Sequence, residues 1–494
     1  MGHAQVEHRI ETSLWPFVEH VVRAWALPGV ALSVVHGADQ VLARGFGTRN
    51  TATADPVTPD TLFHLASVSK TFVATAVLQL VEEGRLDLDG RVTAYLPDLP
   101  WADPRAHRIT PRQLLSHRSG LGDVTDYRWH EPELDDDALA RFAAEVAGWP
   151  LERDPGTAYA YSNAAYELLG HLVATVSGRS FEDVLRERVL DPVGMRTSTF
   201  LRSDVPPHLA VTPHLGLPPR VVEGAYPYTR PHAPSSSLHS SAAELGRWIV
   251  AHLAGGAGLL SPATHELMWT PTGDASEGDW HAQMALGWFT GTYRGHAVVN
   301  HSGTDPGFES NLVLLPGRGL GVSVLSGSNT APLLSLTRAA LDVLLGMPPA
   351  PPPVPPVTVA LGPVLQASGV PAAVDLYRRL AAESRPTVDV GRDDDGFVDV
   401  RDDEGSVDAD RDDAGFVDAV WGLIEMHRTD LAQPVLELWR QVRPESAQLW
   451  FMTGWAAEIE GRRETAVEHL RRAAELDPHD DEATAMLRRL SSED

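Results

Sequence analysis

Forty of the 494 residues are Lys or Arg, and thirty-nine of those forty are Arg. The single lysine, Lys70, stands three residues after Ser67 in the run Ser67-Val68-Ser69-Lys70. Arg keeps its proton in proteins, whereas the amine of a desolvated Lys can lose one near neutral pH. A chain that otherwise uses Arg for positive charge thus has one position suited to a titratable base. The run from Ser67 to Glu83 carries Ala, Val and Leu at the spacing of a buried helical face, with Gly84 as a stop signal. Ser67 is then at a helix N-terminus with Lys70 one turn on, on the same face. The helix dipole and burial both disfavour a cation there. A neutral amine beside a serine hydroxyl can take its proton as the oxygen attacks. The outward N–H of Ser67 offers one donor to an oxyanion.

The elements that must position this pair are legible on both sides of it. Residues 5–26 read as an amphipathic helix closed by Pro28-Gly29, and Val30–His36 with Gln40–Gly47 as a hairpin. Residues 105–255 alternate helical patterns with Pro- and Gly-rich loops, which predicts an inserted all-helical lobe. Four strand-like runs follow at Ala285–Thr290, His296–His301, Asn311–Leu315 and Leu320–Leu325, then a helix at 332–345. Strands at both ends and helices between them predict an α+β domain, with one antiparallel sheet built from both termini and helices packed against it.

Two further clusters lie downstream of the Ser-x-x-Lys run. Tyr161-Ser162-Asn163 follows Pro155-Gly156 and precedes a helical pattern, and His301-Ser302-Gly303 closes a strand-like run. In this order the three motifs resemble those of serine β-lactamases of the class C type, DD-peptidases, and related esterases and D-amino-acid peptidases. Leu114-Leu115-Ser116-His117-Arg118-Ser119-Gly120-Leu121 and Gly307-Phe308-Glu309-Ser310 support the resemblance, which covers about residues 10–346. It implies the β-lactamase/transpeptidase-like fold, with Ser67 as the acylated nucleophile and Lys70 as its base. Tyr161 would share the proton load, protonate the leaving group and help activate water. Asn163 would bind the substrate carbonyl side chain and orient Lys70. His301 and Gly303 would border the substrate, and the Thr304 N–H would be the second oxyanion donor. The resemblance implies no metal and no cofactor, and no metal-ligand spacing occurs along the chain.

One departure bears on substrate. The third motif is often Lys-Thr-Gly in the family, but this chain has no second lysine. A histidine of pKa near ~6.5 is largely neutral at pH 7, so His301 is a weak anchor for a carboxylate. That favours an esterase or D-amino-acid peptidase over a β-lactamase. Acyl transfer to an acceptor other than water is an alternative use of the same site. An alternative of another class is a vestigial hydrolase serving as a tetratricopeptide binding scaffold.

Met347-Pro-Pro-Ala-Pro-Pro-Pro-Val-Pro-Pro356 is a stiff linker. It divides a hydrolase domain at 1–347 from an all-α domain at 358–494, with the linker at 348–357. Trp450, Gly454, Gly461, Ala466, Leu470, Ala473 and Pro478 have the offsets of the 34-residue tetratricopeptide pattern. Phe416, Ala432, Leu436 and Pro444 form a weaker copy, and Ala373–Pro386 reads as the remnant of a third. Such a domain predicts a protein or peptide partner. Residues 389–413 hold twelve Asp or Glu against Arg392, Arg401 and Arg411, in three similar eight-residue units. They read as a solvated acidic loop rather than a calcium site, because the spacing lacks the ligands of an EF-hand.

The net charge of −27 argues against nucleic acid or anionic membrane as partners. The chain has no Cys, its first residues have no apolar signal core, and no apolar run promises a membrane span. These features lead to the expectation of a cytoplasmic protein acting on a small-molecule or peptide substrate.

Overall fold

The computed structural model describes residues 3–37, 40–275, 280–383 and 409–491. Its centre is a nine-stranded antiparallel sheet. From one edge the strands are Asp55–Pro56, Gln40–Asn50, Gly29–His36, Leu320–Ser326, Phe308–Leu315, His296–Asp305, Phe289–Tyr293, Gln283–Met284 and Gly273–Asp274. The N-terminal hairpin and the C-terminal strands meet where Gly29–His36 pairs with Leu320–Ser326, with Ser33 opposite Ser323. The two chain ends of the domain thus build one sheet, as the strand pattern predicts.

Central strands are buried on both faces, and alternate side chains feed two cores. Val30, Leu32, Val34, Val322 and Val324 pack with Val18, Val21, Leu336 and Ala340 from the helices Trp15–Ala24 and Leu333–Leu344. Ala31, Val35, Leu312 and Leu325 point the other way, into a core with Phe72, Val77, Trp248 and Ile249. The helix Ser69–Glu82 lies in that second core, buried from Ser69 to Leu80, so its polar side chains are as enclosed as its apolar ones.

Three expectations need correction. The lobe at 105–255 is not all-helical: Phe63–His64 pairs with His239–Ser240, and His214–Leu215 with Arg220–Val221. Those strands are two residues long, too short for a period-2 signal. The run Ala285–Thr290 becomes a strand only from Phe289, because Gly287 takes φ 79° and is pressed on helix Ser69–Glu82, where a Cβ would lie 2.4 Å from Ala74 Cβ. The last acidic unit is not a loop: residues from Ala409 belong to the helix Ala409–Glu425, with Phe416 buried and stacked on Trp439. The first two units fall outside the described residues. Among the described residues, one segment, Thr358–Glu383, is long and apolar enough for a span by length and composition. It is broken at Gly369 (φ 77°, ψ −178°), and neither half reaches the ~20 residues a crossing needs.

Beyond the proline-rich stretch, helices Ala409–Glu425, Thr429–Val442, Ala447–Ile459, Arg463–Leu476 and Asp481–Ser491 form an all-helical region. Its main core includes Leu361, Phe416, Val420, Leu423 and Trp439, and it is continuous with Trp129, Leu215 and Val222 of the first region. Gly422 permits a close approach. A Cβ there would lie 2.7 Å from Leu215 Cδ2 and 3.4 Å from Pro306 Cα. The helix therefore rests on the turn that ends the strand His296–Asp305.

Candidate active site

Ser67 lies in the 3-10 turn Ala66–Val68 that feeds helix Ser69–Glu82. Ala66 takes φ 46°, a left-handed conformation that costs a non-glycine residue energy and is held by its surroundings. Leu65 N donates to Leu238 O at 2.8 Å, and Leu238 N to Ser69 Oγ at 2.9 Å. From the sheet side, Ser310 Oγ donates to Leu65 O at 2.5 Å. Lobe and sheet together fix the backbone that aims Ser67.

Lys70 is fully buried one turn below. Its Nζ is 2.9 Å from Ser67 Oγ, 2.7 Å from Asn163 Oδ1 and 2.8 Å from Ser235 O. Burial pulls its pKa down from 10.5 to about 8, against the opposing pull of Glu167, Asp123 and Asp305. A neutral amine has two N–H groups and one lone pair. Two of the three neighbours, Asn163 Oδ1 and Ser235 O, can only accept. The geometry therefore leaves the lone pair for the Ser67 hydroxyl proton.

Asn163 is oriented in turn. Its Nδ2 donates to Asp123 Oδ2 at 3.0 Å and its backbone N to Asp123 Oδ1 at 2.6 Å. Ser162 caps the helix Asn163–Ser177 by accepting from Ala165 N. Its own N–H donates to His117 Nδ1 at 3.1 Å, and the His117 ring stacks on Tyr161 with centroids 4.2 Å apart. Tyr161 is thereby held with its ring centroid 5.0 Å from Lys70 Nζ.

The strand His296–Asp305 forms the opposite wall. A Cβ at Gly303 would lie 2.7 Å from Ser67 N and 2.4 Å from Leu65 O, so only glycine lets strand and nucleophile turn come this close. Buried His301 has its pKa lowered to about 3, chiefly by desolvation and then by Lys70. Its Nδ1 lies 2.6 Å from Ser302 O, an acceptor only, so the ring proton is on Nδ1 and Nε2 is left as an acceptor. Ser67, Tyr161, Asn163, His301, Gly303 and Thr304 all line one cleft of about 390 Å³.

These motifs sit in a recognisable frame. The Beta-lactamase family profile matches residues 17–345. The chain belongs to the beta-lactamase family. It is 33% identical over 340 residues to "Penicillin-binding protein 4" of Amycolatopsis lactamdurans, which covers 65% of this chain and 87% of that protein. It is 27% identical over 342 residues to "Unguisins hydrolase ungD'" of Aspergillus campestris, covering 63% of this chain and 60% of the relative, so it spans about three fifths of that protein's length. The octameric penicillin-binding protein homologue from Pyrococcus abyssi superposes with a TM-score of 0.62 at 26% identity, covering 72% of this chain and 80% of that one. The fold is the β-lactamase/transpeptidase fold, and the domain is a beta-lactamase-family serine hydrolase.

Every residue singled out from the three family motifs reaches the cleft or its floor. Reading the sequence missed what supports them. Asp123 and the Ser235 carbonyl carry no local signal, since one is an ordinary loop acid and the other is backbone. Asp305 carries no such signal either, although it lines the cleft and pairs with His64 Nε2 at 2.6 Å. Burial pushes Asp305 up to about 8 and His64 down to about 3, so the pair carries no net charge at neutral pH. Among the described residues Arg338 borders an adjoining recess of about 560 Å³, which shares Ser302, Gly303 and Thr304 with the cleft.

Proposed function

We propose that the protein hydrolyses ester or amide bonds through an acyl-enzyme on Ser67. As Ser67 Oγ bonds to the substrate carbonyl carbon, its proton passes to Lys70 Nζ. The carbonyl π electrons move to oxygen, and that oxyanion is received by the N–H groups of Ser67 and Thr304. Collapse re-forms the carbonyl and expels the leaving group, which takes the proton from Lys70 by way of Tyr161. Water then attacks the acyl-enzyme, giving its proton back along the same path and releasing the acid. The observation that carries this reading is the 2.9 Å contact between Ser67 and a buried lysine whose proton is loosened to about pH 8.

The neutral third motif supports esters and amides without a carboxylate beside the scissile bond, as expected of an esterase or a D-amino-acid peptidase. Arg338 supports a second reading, in which a carboxylate-ended D-peptide reaches across Thr304 into the adjoining recess. Intact-mass spectrometry after fluorophosphonate treatment tests the acyl-enzyme. Wild type gains one adduct, Ser67→Ala none, and Lys70→Arg gains it far more slowly. An unlabelled wild type overturns the proposal. Hydrolysis of a D-Ala-D-Ala peptide, its C-terminal amide and an aryl ester then separates the substrate readings. Loss of peptide activity alone in Arg338→Ala favours the carboxylate-binding one.

A further inference from the structure

Asp126 and His130 lie on the loop that runs past the cleft, and His427 lies in the turn after helix Ala409–Glu425. Their potential ligand atoms all lie within 4.8 Å of one another. We propose that Asp126, His130 and His427 form a binding site for a divalent transition metal ion of the zinc type, which clamps the C-terminal helices to the loop bordering the cleft.

Two imidazole nitrogens and a carboxylate oxygen are a donor set that suits zinc, with water completing a tetrahedron. Bonds of about 2.0–2.1 Å place tetrahedral ligand atoms roughly 3.4 Å apart, so atoms that lie within 4.8 Å of one another need to close by up to about 1.4 Å. Side-chain rotation supplies that at a surface where Asp126 and His130 are exposed. The two imidazoles are already in contact, stacked with centroids 3.6 Å apart and planes 17° from parallel. Coordination requires the rings to tilt out of this stack so that both lone pairs converge. Asp126 Oδ1 accepts the Arg128 N–H at 2.8 Å, which fixes the carboxylate and leaves Oδ2 to ligate. Burial and then the neighbouring His130 lower the His427 pKa, with Asp126 and Glu131 opposing as nearby negative charges.

The position gives the site a consequence. Between Asp123, which holds Asn163, and His130 the same loop carries Tyr127 on the cleft wall and Trp129 buried in the core shared with the C-terminal helices. An ion here joins both regions to the loop that supports Asn163. Spacing along the chain could not reveal it, because the third ligand comes almost three hundred residues after the second.

The test uses the full chain, stripped with chelator, dialysed against zinc chloride and analysed for bound metal beside the double variant His130→Ala/His427→Ala. With 21 histidines in the chain, the difference between the two proteins is the informative quantity. Wild type should hold one zinc equivalent more than the variant. Zinc should raise the Tm of wild type by several degrees and leave the variant unchanged. Equal zinc contents, or a wild-type Tm indifferent to zinc, overturn the proposal. Should the double variant fail to fold, Asp126→Asn and the cobalt absorption spectrum replace it. Wild type should show the visible band of a four- or five-coordinate site, weakened in Asp126→Asn, and a spectrum of six-coordinate aqueous cobalt alone overturns the proposal.

Discussion

The cleft around Lys70 and the seam beneath helix Ala409–Glu425 both bury charge, and they do so in different ways. Around Asp413 the partners consume one another. Asp413 accepts from Trp439 Nε1 at 2.8 Å and from Arg443 Nε at 2.6 Å and Nη2 at 3.0 Å, while Phe416 stacks on Trp439 beside it. In the cleft one valence is withheld. Lys70 spends two N–H groups on Asn163 and Ser235 and keeps a lone pair for Ser67. His301 likewise gives its proton to a carbonyl and keeps Nε2. Full pairing makes Asp413 part of a joint, and the acceptor left on Lys70 is what the proposed chemistry uses.

The contrast is broken most severely at Ser67. Ser67→Ala should abolish turnover, a loss of at least ~10³-fold by steady-state kinetics, while the melting curve stays within a degree or two, because a single partly buried hydroxyl supports little structure. Phe416→Ala should do the reverse. Emptying a buried aromatic stack costs about 3–5 kcal/mol, so the C-terminal helices should melt early in a denaturant titration. Labelling of Ser67 should slow by less than tenfold. Loss of labelling in that variant would mean that the seam is part of the catalytic machinery. Asp123→Asn should sharpen the comparison inside the cleft. It offers an amide where Asn163 needs an acceptor, so Asn163 loses its orientation and acylation should fall by about 10–100-fold with the fold intact, as circular dichroism would show.

How much could be read beforehand follows the same line. The candidate site residues are legible because their types are carried in short runs, Ser67 with Lys70 and Tyr161 with Asn163, whose spacing a helix or its cap dictates. The sheet was legible because long Val- and Leu-rich strands leave a clear signal. Asp123, Ser235, Asp305 and His64 were not, because each acts through a contact across the fold that ordinary residue types can make. Gly287 misled the strand assignment for a related reason: an apolar run is buried in either case, and its neighbour Ala74 decides its shape. The last acidic unit read as loop because its Asp residues outweigh Phe416 in composition, whereas Phe416 decides the packing.

The central claim is that the base is a lysine whose pKa burial lowers to about 8, and the pH dependence of acylation measures it. Only unprotonated Lys70 can accept the Ser67 proton. The second-order rate of fluorophosphonate labelling should therefore rise about tenfold per pH unit below the inflection and level off above a pH of about 8. A plateau already reached near pH 6 to 7, or a rate still climbing past pH 10 as an unperturbed lysine would give, contradicts the account.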